Sequence, residues 1–284
     1  MPNLATAAPT TITASEATAG DVPIPYLTLQ DRVVIVTGAS SGIGRGIALH
    51  LASLGARIVV VYASSAAEAA DVVSTINCSS PSPDLPQPRA ISIRANVSDA
   101  ADVKALFDGA EEFAGGSPPH VLVNSARILD SAYPPISAMS EEEWERVFET
   151  NAKGTFLCCR EAANRLRRGG GGRIVNVSSS LVGALRPGYG AYVSSKAAVE
   201  AMTKILAKEL KGSGITANCV APGPLTTEMF LKGKSPESVD RVVSDTPMGR
   251  LGTPEDVAAV VGFLAGDSGQ WVNGQVIRVN GGLL

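Results

Sequence analysis

The stretch Thr37-Gly38-Ala39-Ser40-Ser41-Gly42-Ile43-Gly44 constrains this chain most. Before it lies Arg32-Val33-Val34-Ile35-Val36, an apolar, β-branched run; after it, Ile47, Ala48, Leu51, Ala52 and Leu54 recur at helical spacing. A strand, a glycine turn and a helix in that order form the context of a phosphate-binding turn. Gly38 permits the tight turn, Gly42 lets backbone approach a pyrophosphate, and Gly44 lets the helix pack close to the strand. The helix N-terminus, with Ser40, Ser41 and Ile43 around it, presents free N–H groups and a positive dipole end to phosphates. The spacing is Gly-x-x-x-Gly-x-Gly, not Gly-x-Gly-x-x-Gly. A purely structural turn in an α/β protein would use the same glycines.

The rest of the chain repeats the alternation. Strands are expected over 58–62, 90–95, 121–123, 174–177, 216–220 and 275–279. Helices are expected over 66–77, from Ser98 or Asp99 to Phe113, from Ser140 onward and again over 154–168, then 191–210 and 254–264, with Gly169–Gly172 ending the 154–168 segment. This predicts a single-domain Rossmann fold over residues 29–284: a doubly wound, parallel, seven-stranded sheet with helices on both faces. The 284 residues are 45% hydrophobic, enough for one large core. Residues 1–28, rich in Ala, Thr and Pro, read as a disordered tail, and Ser79–Pro88 as a Pro/Ser surface loop.

A formal net charge of −3 gives no reason to expect nucleic acid or an anionic membrane surface as partner. No apolar run approaches the ~20 residues of a membrane span. Cys78, Cys158, Cys159 and Cys219 lack metal-type spacing, and His50 and His120 stand alone, so no metal site is expected. There is no Lys or Arg before Arg32, and Glu16 and Asp21 are acidic. Those features argue against a transit peptide and for a cytoplasmic location.

In such folds an acid about 20 residues past the glycines grips the adenosine ribose and selects NAD. Here that place is Tyr62-Ala63-Ser64-Ser65, and the next acid, Glu68, falls inside the following helix. A 2′-phosphate is then not repelled, and Ser64, Ser65 and the helix N-terminus can donate to it, favouring NADP(H). No Arg or Lys occupies that loop, and serines that only cap the helix would look the same. Further on, Tyr192-Val193-Ser194-Ser195-Lys196 puts a phenol and an ammonium on one helix face. A nearby cation lowers a phenol pKa from about 10, preparing Tyr192 for proton transfer.

With these residues the chain resembles the short-chain dehydrogenase/reductases of the single-domain type. Within that family it is most similar to the plant NADPH-dependent aldehyde (carbonyl) reductases. The resemblance covers residues 29–284 and rests on Thr37–Gly44, Asn151 within Glu149–Gly154, Ser178–Gly183, Tyr192 with Lys196, Pro222-Gly223 and Pro247–Asp256. It implies hydride transfer from NADPH to the carbonyl of a small aldehyde or ketone, with Tyr192 as proton donor. Lys196 is implied to lower the Tyr192 pKa and to hold the nicotinamide ribose. Ser180 is implied to polarise the carbonyl, because the family's serine precedes a two-residue step to glycine; Ser179 is the alternative. Asn151 is implied to kink its helix and hold a water of a proton relay. Pro222 and Gly223 turn the chain over the nicotinamide, with Leu225 backbone and the Thr227 hydroxyl near its carboxamide. Residues 225–247 form a lid whose Leu225, Met229, Phe230 and Leu231 line an apolar pocket or pack on the core. The family also implies a homotetramer or homodimer through the long helices. Alcohol oxidation and iminium reduction are the neighbouring activities. A cofactor-binding regulatory protein that has lost catalysis is the reading from another class.

Two places depart from the family pattern. Asn96-Val97 stands where the family carries Asp-Val, and the Asn96 oxygen can still accept from adenine. Asn124-Ser125-Ala126-Arg127 stands where the family has Asn-Asn-Ala-Gly or Asn-Ser-Ala-Gly along the cofactor. If the backbone there needs positive φ, Arg127 is strained. If the guanidinium points inward, it binds a phosphate, a carboxylate or a polar substrate oxygen. Arg127 is expected to border the cleft and alter substrate choice or activity.

Overall fold

Consecutive residues of the strands are apolar on both sides, as a parallel sheet covered twice requires. The computed structural model describes residues 29–79 and 88–284; the expected tail and most of the Pro/Ser loop lie outside the described residues. The chain runs β1 (Val33–Thr37), α1 (Gly42–Ser53), β2 (Arg57–Tyr62), α2 (Ala66–Cys78), β3 (Ala90–Arg94), α3 (Ala100–Phe113) and β4 (Val121–Asn124). It continues through α4 (Glu141–Phe148), a π-helical turn (Glu149–Gly154), α5 (Thr155–Arg165), β5 (Arg173–Val177), α6 (Leu181–Ala184) and α7 (Gly190–Glu209). It ends with β6 (Thr216–Pro222), α8 (Glu228–Leu231), α9 (Pro236–Asp245), α10 (Pro254–Ala265) and β7 (Val276–Val279).

All strand pairs are parallel, in the order β3-β2-β1-β4-β5-β6-β7. The period of two divides the core. Val34, Val36, Ile58, Val60, Val121 and Val123 face α1, α2 and α10 through Ile47, Leu51, Val72, Val257 and Val261. Val33, Ile35, Val59, Val61 and Leu122 face α3 and α5 through Leu106, Phe107, Leu157 and Ala162. The strand order reverses between β1 and β4, which opens a crevice at their carboxyl ends.

The helix after Ser140 differs from its expected course. Ser140 caps α4 by accepting from the Glu143 N–H at 3.2 Å, but the helix continues through the π turn into α5 and stops at Arg165, not Arg168. Leu166 is extended and buried, and the Arg167 N–H donates to the Pro119 carbonyl at 3.0 Å. Packing of Leu166 therefore ends the helix before the glycines are reached. The short helices α6, α8 and α9 were not separately expected; each is too short or too polar to show an apolar stripe.

His120 stands at the start of β4, where its Nδ1 accepts from the Val33 N–H at 3.2 Å. Burial, followed by the charges of Arg167 and Arg32, lowers its pKa to about 4. The folded protein therefore binds this proton less readily than the unfolded chain, with its ordinary value of 6.5. Stability contributed by neutral His120 is present above pH 6.5 and is lost as pH falls toward 4. Thermal unfolding followed across that range is expected to show a falling Tm, and a flatter fall in His120→Asn, whose amide oxygen replaces the acceptor.

Candidate active site

The carboxyl ends of β1 and β4 are joined by one side chain. The Thr37 hydroxyl oxygen accepts from the N–H groups of Ser125 and Ala126 at 3.0 and 3.1 Å. The two loops approach so closely that a Cβ on Gly38 would stand 2.8 Å from the Ala126 Cα. A Cβ on Gly44 would overlap the Gly38 carbonyl oxygen, so glycine at that position lets α1 start against the turn.

A long groove runs over these loops. It is lined by Gly38, Ser40, Ser41 and Gly42, by Tyr62, Ser64 and Ser65, by Asn96 and Val97, and by Ser125 and Ala126. Its polar groups suit a dinucleotide. Ser41 and Ser65 occupy the N-cap positions of α1 and α2, yet neither hydroxyl caps its helix. The Ser125 hydroxyl is buried without a hydrogen-bond partner. Arg94, at the end of β3, donates from Nε to the Ala63 carbonyl at 3.1 Å and brings a cation to the loop that carries Ser64 and Ser65.

Next to the groove lies a second, largely apolar pocket. Ile43, Leu129, Leu181, Leu225, Met229 and Phe230 line it, and Ser179, Tyr192, Pro222, Gly223 and Thr227 stand on its walls. Helices α8 and α9 form one side of this pocket through Phe230 and Val242. Leu231, expected with them, is 43% exposed and does not line it. Thr227 also caps α8, accepting from the Phe230 N–H at 3.4 Å.

Tyr192 and Lys196 are buried on α7. The ammonium lies 6.0 Å from the phenol ring centroid and donates to the Val177 carbonyl at 2.7 Å. Burial raises the Tyr192 pKa above its ordinary value; the positive charge of Arg127 and a hydrogen bond with Ser179 oppose that rise. Desolvation outweighs these two favourable interactions. Burial lowers the Lys196 pKa to about 7, helped by Arg127 and opposed by Cys219.

Ser179 and Ser180 both line the pocket. The Ser180 hydroxyl donates to the Ala221 carbonyl at 2.9 Å, and Ser179 is the serine that hydrogen-bonds the Tyr192 phenol. One site expectation is corrected. The Asn124 side chain does not face the groove. It donates to the Asn176 side-chain oxygen at 2.9 Å beneath the sheet end. Asn151 sits in the π turn, fully buried. Its amide donates to the Ile128 carbonyl at 3.0 Å and to the Ser195 hydroxyl at 3.1 Å, and its oxygen accepts from the Ile128 N–H at 2.9 Å.

A dinucleotide groove that meets a tyrosine, a serine and a buried lysine at the switch point of a parallel sheet defines a nicotinamide-dependent oxidoreductase site. Comparison with known proteins agrees. The family described as enoyl-(acyl carrier protein) reductase matches residues 38–284. The chain is 57% identical over 274 residues to the NADPH-dependent aldehyde reductase-like protein, chloroplastic, of Arabidopsis thaliana, covering 94% of this chain and 99% of that one. It is 55% identical over 271 residues to NADPH-dependent aldehyde reductase 2, chloroplastic, of the same plant, with the same coverage of 94% and 99%. A dehydrogenase/reductase from Sinorhizobium meliloti 1021 superposes with a TM-score of 0.82 at 33% identity, over 91% of this chain and 97% of its own. The chain belongs to the short-chain dehydrogenase/reductase family.

The expectation of a cytoplasmic location is overturned by the two plant relatives, both of which are chloroplastic. That expectation weighed the lack of Lys and Arg before Arg32, a rule of average composition that a single segment rich in Ala and Thr need not obey. Sequence reasoning also missed Arg94. Parallel pairing sets Tyr62 opposite Arg94, so the register of β2 and β3 was the signal that could have found it.

Gly44→Ala is expected to destabilise the protein by about 2 kcal/mol, in the range of overpacked sites. Denaturant unfolding should show the loss as a lower midpoint with an unchanged slope.

Proposed function

We propose that this chain is an NADPH-dependent reductase of small aldehydes or ketones, with Tyr192 as proton donor. The observation that carries the reading is the meeting of the Tyr192 phenol and Ser179 in an apolar pocket that opens onto the dinucleotide groove. The plant relatives at 57% and 55% identity, both NADPH-dependent aldehyde reductases, support the same substrate class and a chloroplast location.

Gly38, Ser40, Ser41, Gly42, Asn96, Val97, Ser125 and Ala126 are the residues that would hold the dinucleotide, which when bound supplies a hydride for the carbonyl carbon. Ser64, Ser65 and Arg94 would receive the 2′-phosphate, the cation making good the lack of Lys or Arg within residues 62–65. Ser179 donates a hydrogen bond to the carbonyl oxygen and draws charge onto it. The raised pKa keeps Tyr192 protonated at neutral pH, so its O–H delivers the proton to that oxygen. Lys196, tied to Val177, sits behind the phenol where a positive charge stabilises the phenolate left after transfer. Asn151 holds Ile128 and Ser195 in place around this group. The pocket's leucine, methionine and phenylalanine side chains suit an apolar substituent on the carbonyl, with residues 225–247 as the lid over it. Assembly into a homodimer or homotetramer belongs to the same reading; the exposed Phe156 on α5 and Ile205 on α7 support it.

Oxidation of NADPH with a panel of aldehydes and ketones tests this. Tyr192→Phe should lose about 10²-fold or more in kcat, the scale of general acid catalysis. Ser179→Ala should lose about 10²-fold, the scale of one donor to a developing oxyanion, while Ser180→Ala should lose far less and show a lower Tm. Equal losses at the two serines would remove the distinction drawn from their hydrogen bonds.

Arg94→Ala is expected to raise the KM for NADPH about tenfold or more, the loss of one charged hydrogen bond, and to leave that for NADH nearly unchanged. Parallel kinetics with the two cofactors check it.

A further inference from the structure

Arg127 lines both the dinucleotide groove and the carbonyl pocket, so its side chain stands at their junction. Its Nη2 lies 3.9 Å from the place a Cβ would occupy on Gly42, and the Thr227 methyl lies at the same distance of 3.9 Å. Gly42 is the first residue of α1, toward which the free N–H groups of that helix point. Among the described residues the Arg127 guanidinium has neither an ion pair nor a hydrogen bond. The other charged groups lining the groove are Glu228 and Lys232, one of each sign.

The backbone does not account for this side chain's position. The non-glycine residues with positive φ among the described residues are Asp31, Tyr133 and Leu185, so Arg127 carries no left-handed strain. Its neighbours are fixed on both sides: Thr37 holds the N–H groups of Ser125 and Ala126, and Asn151 holds both polar groups of Ile128. A long, always charged side chain is thus directed from a rigid loop toward the phosphate turn. A guanidinium in a partly buried cleft, with no ion-pair partner, is a receptor for a doubly charged, multi-oxygen anion.

We propose that Arg127 clamps the pyrophosphate of the bound dinucleotide from the side opposite α1; the proposal rests on the NADPH reading above. The helix offers N–H donors to one face of the phosphates, and the guanidinium offers a planar fork to the other. Pairing with the anion also removes an uncompensated positive charge from beside Lys196 and Tyr192, both of which feel it. Arg127 therefore links cofactor binding to the electrostatics of the proton donor.

Direct titration tests this without turnover. NADPH is bound to the wild type, Arg127→Leu and Arg127→Lys over a series of salt concentrations, with adenosine 2′-monophosphate, which lacks both phosphates of the pyrophosphate, as the second ligand. Arg127→Leu is expected to weaken NADPH binding about 10- to 100-fold, the range of charge-assisted hydrogen bonds, and Arg127→Lys is expected to restore only part of it. The Kd of adenosine 2′-monophosphate should change less than about threefold, as for a ligand that lacks the clamped group. The salt dependence of NADPH binding should be shallower in Arg127→Leu, with Tm near the wild-type value. An NADPH Kd unchanged in Arg127→Leu overturns the proposal, and a raised carbonyl KM in that case assigns Arg127 to substrate instead. Equal weakening of both ligands also overturns it, because the effect would not be local to the pyrophosphate. Failure of the wild type to bind NADPH would instead overturn the cofactor reading, which keeps the two failures distinct.

Discussion

Everything at the site depends on the close approach of the loops that follow β1 and β4. Thr37 is the last residue of β1, and its hydroxyl reaches across to two successive N–H groups beyond β4. Buried amides without partners are costly, so this one oxygen removes two liabilities and fixes the spacing of the crevice. Gly38 permits the approach, since any side chain there would meet the Ala126 backbone. The groove is therefore a consequence of backbone contact.

The buried pair on α7 is governed by a different balance. Tyr192 and Lys196 share a helix face because of their spacing, but burial governs their protonation. A buried ammonium is disfavoured by desolvation, and its one hydrogen bond, to the Val177 carbonyl, only partly offsets that cost. A buried phenol is disfavoured from ionising for the same reason. The two effects run in opposite directions on the pair. Burial favours the protonated tyrosine and lowers the pKa of the lysine beside it to about 7.

The parts of this arrangement that follow from local spacing were legible in the sequence. The glycine turn, the alternation of strands and helices and the i, i+4 pair on α7 all depend on periods of two and 3.6 residues. The parts that were not legible depend on direction at a strand end or on contacts across strands. Counting back from Gly183 selects Ser180, yet the main chain of Ser178 and Ser180 continues the pairing with β6 through Val220 and Pro222. The Ser180 hydroxyl follows its backbone to Ala221, and the phenol is left to Ser179. Asn124 likewise lies within a strand, so its side chain enters the polar layer around Asn176 while the next two residues line the groove. Arg94 is remote from Ala63 in sequence and becomes its hydrogen-bond partner only through the register of β2 and β3.

The π turn ties these two kinds of information together. A helix that passed through Glu149–Gly154 with regular spacing would carry Asn151 on a different line from Ile128. The wider turn brings the Asn151 amide to both polar groups of Ile128 and to Ser195 on α7, and a Cβ at Gly154 would collide with Val97 on the groove wall. One side chain thus fixes the loop after β4 to the helix that carries Tyr192 and Lys196. Thr37 fixes the same loop to the phosphate turn on its other side. Arg127 lies between these two attachments, on a backbone without positive φ. Arginine at such a point carries a long side chain and a fixed charge to the junction of groove and pocket without left-handed strain.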